Sequence, residues 1–162
     1  MMVVADAGPL RYLIVIEAAD VLRRLYDRVL LPETVAAELQ AAPTPAAVRA
    51  WLLQPPAWCE TRPDPPADPA LAFLDPGERA AITLALAVHA DRVLMDDWDG
   101  RAEAERRDLR VTGTLGVLAE AHQRNLHDFE AALTRLRQTN FYLSDSLVER
   151  VRRILSAAVG KP

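Results

Sequence analysis

A chain of 162 residues, 51% hydrophobic and 26% charged, has the apolar content to bury the core of one globular domain and too little length for two. Its formal net charge of -4 excludes the broad basic surface with which sequence-independent nucleic-acid binders neutralise phosphates, while leaving room for a local arginine patch. A single cysteine, Cys59, excludes a disulfide framework and any zinc site built on two or more thiolates, and a single lysine, Lys161, excludes a Walker A loop or a lysine Schiff base from the body of the domain.

Met1 to Ala5 is a short apolar run that stops at Asp6-Ala7-Gly8-Pro9 and reads as a strand and a turn. Helical periodicity follows in Leu10, Leu13 and Ile14 and, after Ala18-Ala19-Asp20, in Val21, Leu22 and Leu25. Arg28 to Leu31 is a second strand closed by Pro32, which suits the first turn of a helix over Glu33 to Gln40. Pro43 to Leu53 reads as another helix. Six of the 12 prolines fall between Gln54 and Pro69, which leaves room only for a short edge strand over Trp58 to Thr61.

Asp75-Pro76-Gly77-Glu78 opens a helix carrying Ile82, Leu84, Leu86 and Val88, and Arg92 to Met95 is a buried type of strand ending at Asp96-Asp97. Arg101 to Asp108 continues as helix. Leu109 to Thr112 is one more short strand, and Gly113-Thr114 turns into a helix with Leu115, Leu118, Ala119 and His122 at helical spacing. Phe129, Leu133 and Leu136 mark a further helix, and Leu147, Val151, Ile154, Leu155 and Ala158 mark the last. The longest uncharged apolar stretch, Ala80 to Ala90, is about half a membrane span, and Asp6 interrupts the N-terminus before a signal-peptide core forms. No membrane anchor or export signal is expected, and with the lone cysteine this points to a reducing cytoplasm.

Alternation of strand and helix implies right-handed crossovers onto a mainly parallel sheet with helices on both faces. The expected fold is α/β, a three-layer α/β/α sandwich. It forms a single domain over residues 1–162, with its core over about 1–125 and extra C-terminal helices over about 126–160.

Ligands of an open parallel sheet collect beyond the carboxyl ends of its strands, which singles out Asp6, Asp96 and Asp97. Glu38 borders the core stripe formed by Val35 and Leu39, and Glu78 lies in the first turn of its helix. Carboxylates converging on one crevice repel one another unless they are protonated or neutralised by a hard divalent cation, so Mg²⁺ or Mn²⁺ is the simplest companion. Plainer readings stand beside this one. Asp6 and Asp75 suit helix N-caps, Asp75 with Glu78 has the spacing of a capping box, and Glu38 alone suits a solvated helix face. Adjacent carboxylates directly after a buried strand, as in Asp96-Asp97, are harder to explain structurally. His89, His122 and His127 read as structural. The Thr112-Gly113-Thr114-Leu115-Gly116 segment suits an ordinary turn and also offers hydroxyls and a helix N-terminus to a phosphate. Among the arginines of solvated faces, Arg101 is the strongest candidate for holding a phosphate.

Four segments resemble, in order and spacing, the successive acidic motifs of PIN-domain nucleases. They are Val3-Val4-Ala5-Asp6-Ala7-Gly8-Pro9-Leu10, Val35-Ala36-Ala37-Glu38-Leu39, Asp75-Pro76-Gly77-Glu78 with Ala81-Ile82 and Ala85, and Val93-Leu94-Met95-Asp96-Asp97. The chain looks most like the VapC-like branch of small PIN proteins, and the Val111 to Gly116 turn and closing Phe141-Tyr142-Leu143-Ser144 segment extend the likeness over nearly the whole chain. This resemblance implies an acidic pocket that binds Mg²⁺ or Mn²⁺ and hydrolyses phosphodiester bonds in single-stranded RNA. It carries catalysis and metal binding onto Asp6, Glu38, Glu78 and Asp97. Beside that set, the residues themselves offer Asp96 as a further metal ligand and Arg101, Thr112 and Thr114 as candidate RNA phosphate contacts. The resemblance also implies a cytoplasmic toxin with a cognate antitoxin protein as partner, assembled as a homodimer.

The sequence departs from the family pattern in three places. Glu78 stands where the family usually has aspartate, Met95 where it usually has Ser or Thr, and Asp96 is an extra carboxylate. A longer side chain at 78 still reaches a metal, directly or through water, and Asp96 offers a substitute for the missing polar contact. These departures, with the acidic net charge, keep open a non-catalytic PIN-like module that binds RNA or protein. A phosphoacceptor receiver domain fits less well, because the acidic pair comes late and no lysine follows the last strand.

Overall fold

Val3, Val4 and Ala5 are all fully buried, the mark of a strand covered on both faces. They belong to the central strand of a five-stranded sheet in the computed structural model, which describes residues 1–159. The expected helix end at residue 160 and Lys161 lie outside the described residues. The strands are β1 (Met2–Ala5), β2 (Arg28–Pro32), β3 (Cys59–Arg62), β4 (Arg92–Leu94) and β5 (Val111–Thr112). Their order is β3-β2-β1-β4-β5, and every neighbouring pair is parallel.

Alternation along each strand sorts side chains onto two faces, and the core divides accordingly. Val3, Ala5, Val29 and Leu31 join one cluster with α1 (Ala7–Val15), α2 (Asp20–Leu25), α3 (Glu33–Gln40), α4 (Ala46–Leu53) and α7 (Thr114–Gln123). Val4, Leu30 and Val93 join the other, with α5 (Pro76–Ala87) and Ala104 of α6 (Trp98–Arg106). Two helical layers therefore sandwich the sheet, as the sequence predicts.

The proline-rich stretch is held by its acids. Asp64 accepts from the Thr34 amide at 3.2 Å, capping α3 from a distant loop. Asp68 pairs with Arg107 at 2.8 Å, and Arg107 also meets Glu103 at 2.9 Å. At the C-terminal end, α8 (Phe129–Leu136) and α9 (Asp145–Val159) are joined by a two-pronged bond from Arg152 to Glu130 at 2.8 Å in each arm. Phe141 packs edge-on against Tyr12 with ring centroids 4.8 Å apart.

Several expected boundaries move. The apolar segment from Leu10 to Leu25 is two helices, because Glu17 takes φ 60 and the amides of Glu17 and Ala18 close onto Ile14 O and Leu13 O. α4 begins at Ala46 rather than Pro43. α6 begins at Trp98 rather than Arg101, because the Asp97 side chain accepts from the amides of Asp99 and Gly100 and starts the helix early. Ile154, placed by periodicity on the inner stripe of the last helix, is 61% exposed, while Val148 and Leu155 are buried. No helix among the described residues is long and apolar enough to cross a membrane.

Candidate active site at the carboxyl edge of the sheet

Asp6 is the first residue beyond β1, and its amide donates to Leu94 O at 2.9 Å, so the pairing of β1 with β4 fixes its backbone. By position it is the N-cap of α1, yet its side chain makes no capping hydrogen bond. Its carboxylate is buried, 8% exposed, and lines a cavity of about 420 Å³ with Glu38, Asp75, Gly77 and Glu78. Burial pushes its pKa from 3.8 up to about 7, the Ala7 amide offsets part of that, and Glu38, Asp96 and Asp97 push it further up.

Glu38 projects from α3 over the backbone of Gly77. A β-carbon at residue 77 would lie 2.7 Å from Glu38 Oε2, so glycine is what admits the carboxylate. Partial desolvation raises the Glu38 pKa, the Gly77 amide lowers it and Asp75 raises it. Glu78 is 8% exposed. Its Oε2 accepts from the Asp75 amide at 3.3 Å, completing the capping box with Asp75. The same carboxylate is held at about 7 by burial first and by Asp97, Asp6 and Asp75, against the lowering effect of the Asp75 amide. Glu78 is thus a capping residue and a cavity residue at once.

Asp97 is exposed and its Oδ1 accepts from the amides of Asp99 at 2.9 Å and Gly100 at 3.3 Å. Asp96 points the other way. Its oxygens accept from the Thr114 amide at 2.7 Å and the Thr114 hydroxyl at 2.6 Å, which ties the end of β4 to the start of α7. Burial raises the Asp96 pKa, and the two Thr114 bonds and Arg101 lower it. Gly113 makes room for this bridge, since a β-carbon there would lie 2.8 Å from Asp96 Oδ1. Thr114, expected to offer its hydroxyl to a phosphate, is fully buried and spends that hydroxyl on Asp96. Arg101 is half-buried and donates from Nη1 to Met95 O at 2.9 Å. Thr112 is half-buried on β5, with its methyl toward Gly116.

Asp6, Glu38 and Glu78 therefore share one cavity, Asp97 lies outside its lining and acts on Asp6 and Glu78 through its charge, and Asp96 is a bridge to Thr114. Sequence reasoning read Asp75 only as a cap, although it lines the same cavity. The signal that could have found it is its place three residues before Glu78 in the same acidic Asp75-Pro76-Gly77-Glu78 turn.

The family model described as DUF3368: PIN domain matches residues 2–157 of the chain. The chain belongs to the PIN-domain family. PIN domains are commonly nucleases and typically use divalent metals. Its fold is similar to that of a PilT N-terminus domain protein, SSO1118, from the hyperthermophilic archaeon Sulfolobus solfataricus P2. The TM-score is 0.52 at 11% identity, over 89% of this chain and 100% of that one. No curated protein sequence matches the chain significantly.

The donor set of this PIN domain, carboxylate oxygens alone, suits a hard divalent cation. As the side chains stand, no three His, Cys, Asp or Glu among the described residues converge on one point. The cavity supplies the chemistry for an ion without a closed cage.

Proposed function

We propose that this PIN domain is a Mg²⁺- or Mn²⁺-dependent endoribonuclease that hydrolyses phosphodiester bonds in single-stranded RNA. One observation carries the reading: Asp6, Glu38, Asp75, Glu78 and Asp97 have no Arg, Lys or His within ion-pair distance among the described residues. Elsewhere the fold readily pairs its acids, as at Glu103, Glu120 and Glu130. Asp6 and Glu78 are buried while Glu38, Asp75 and Asp97 stand exposed around them. Burying two unpaired carboxylates among three more destabilises the protein, so the arrangement points to a cation supplied from outside.

Asp6, Glu38, Glu78 and Asp97 are the residues that would hold that cation. When bound, it supplies acidification of a coordinated water and offsets charge on the phosphate oxygens. Burial and their acidic neighbours hold Asp6 and Glu78 at about 7 without a cation. With a divalent ion bound, both would come down and stay ionised as ligands, and a carboxylate of the set beside the coordinated water would orient it and take its proton. The assay is cleavage of a mixed pool of structured and unstructured RNA with Mn²⁺, with EDTA as control. Cleavage of the unstructured strands is expected, and Glu78→Gln is expected to lower it at least ~10-fold. Equal cleavage by Glu78→Gln would reduce residue 78 to its capping role, because the amide caps nearly as well.

A second reading, a non-catalytic PIN-like module that binds RNA or protein, is favoured by the lack of three converging ligands. A wild-type protein that binds RNA and cuts nothing in that pool would establish it. We place the nuclease in the cytoplasm as the toxin of a toxin–antitoxin pair. The check is a small reading frame just upstream whose product co-purifies with the chain and blocks cleavage.

A further inference from the structure

Across Asp96 from the acidic cavity lies a second, larger groove of about 520 Å³, bordered by α6, β5, α7 and α9. Its volume is in the range of about 300–1,000 Å³ that small-ligand sites occupy, enough for a nucleobase with its sugar. Val111, Leu115 and Leu147 give it an apolar floor. Trp98 lines its rim and is 79% exposed, although large aromatic side chains normally bury most of their surface.

Charge distinguishes this groove from an ordinary apolar depression. Arg92, at one end, is neutralised by Glu120 at 2.9 Å. Arg101 and Arg150 also line it, and neither has a carboxylate within ion-pair distance among the described residues. Arg150, exposed on α9, carries a full free charge, while Arg101 makes no direct ion pair but shares its charge with Asp96. Both line the groove with the exposed indole, next to a cluster of carboxylates that repels any approaching phosphate. A polyanion needs such cations to reach that cluster at all.

We propose that this groove seats the nucleotides adjoining the scissile bond, with one base stacked on the Trp98 indole and backbone phosphates held by Arg101 and Arg150. The proposal rests on the ribonuclease reading and gives it a structural reason for single-strand preference. A paired base is already stacked within its helix and has no free face for Trp98, whereas an unpaired base has one.

The test is fluorescence anisotropy with a labelled single-stranded RNA of about ten nucleotides and a duplex of the same sequence. It is run in EDTA, with a gel confirming that the strand stays intact. Trp98→Ala is expected to weaken single-strand binding about 5- to 100-fold, and Trp98→Phe, which keeps a ring, to weaken it less. Arg150→Gln is expected to weaken binding and to reduce the slope of log affinity against log salt by about 1. Duplex affinity is expected to be low and indifferent to residue 98. Circular dichroism and Mn²⁺-dependent cleavage on the same preparations separate the two readings. Unchanged single-strand affinity in folded Trp98→Ala and Arg150→Gln would overturn the groove proposal and leave the surface to a protein partner. If wild type also cuts RNA, the nuclease reading survives that failure. Residue-98-dependent binding by a protein that cuts nothing would keep the groove and remove the catalysis.

Discussion

Asp6 is the residue at which stability and function are set against each other. Its pKa rises from 3.8 to about 7 in the fold, with burial the main cause. Between those values the folded state holds a proton that the unfolded chain has released, so stability falls as pH rises through that window and stays low above it. Asparagine does not titrate. In EDTA at pH 8, Asp6→Asn is therefore expected to exceed wild type in stability by about 1–3 kcal/mol, with the gap closing toward pH 4. Denaturant unfolding at both pH values checks this, and a less stable variant at pH 8 would contradict it. Gly77 offers a second test at this scale. In Gly77→Ala the new β-carbon meets Glu38 Oε2 at 2.7 Å, and the flexible Glu38 side chain is what gives way. The melting temperature is expected to stay within a few degrees of wild type, while RNA cleavage falls several-fold. That Asp6, Glu38 and Glu78 gather at one cavity was legible in the order and spacing of the acidic motifs, since periodicity alone leaves Glu38 on a solvated helix face. The Asp96 bond to Thr114 was not, since it joins residues 18 apart with all of α6 and β5 between them, a contact that only the folded sheet brings about.

At the level of elements, β1, β2 and β4 were legible from their β-branched and aliphatic runs, β3 only as the short stretch the prolines leave free, and the helix ends were the weak point. α1, α5, α6 and α7 all close with a backbone loop whose left-handed residue is Glu17, His89, Asp108 or Asn125, and among the described residues no glycine has positive φ. Glycine is the usual signal for that position, and a chain with only 6 of them leaves most such stops unmarked. The conformation costs a side-chain-bearing residue about 1 kcal/mol. His89→Gly is therefore expected to raise stability by up to about 1 kcal/mol, read as a higher denaturation midpoint at unchanged slope. A fall in midpoint would show that the His89 side chain contributes more than its backbone strain removes. Caps supplied from afar, such as Asp64 on α3, escape any local reading for the same reason as the Asp96 bridge.

For the molecule as a whole, the sheet order brings β1 and β4 side by side, and with them Asp6 and the Asp96-Asp97 pair. α3 and α5, adjacent in space, bring Glu38 to Gly77 and Glu78. A site drawn from four separate segments exists only when the whole sandwich is assembled, which ties activity to global folding. The C-terminal segment leaves Tyr142 86% and Ile154 61% exposed, and a symmetric homodimer would cover such a surface. Light scattering at micromolar concentration is expected to give about twice the 17.9 kDa monomer mass, and a monomer mass throughout would exclude it.

The central claim is that the carboxylates work as one unit on a shared cation, and the rate of single-stranded RNA cleavage at saturating Mn²⁺ tests it most directly. The comparison is wild type against Asp6→Asn, Asp97→Asn and the double variant, with circular dichroism confirming each fold. Each single change is expected to cost at least ~10-fold, and the double little more than the worse single, because a site that has lost one ligand has lost the ion the others served. Single variants that cut as fast as wild type, or two losses that simply multiply, would contradict it.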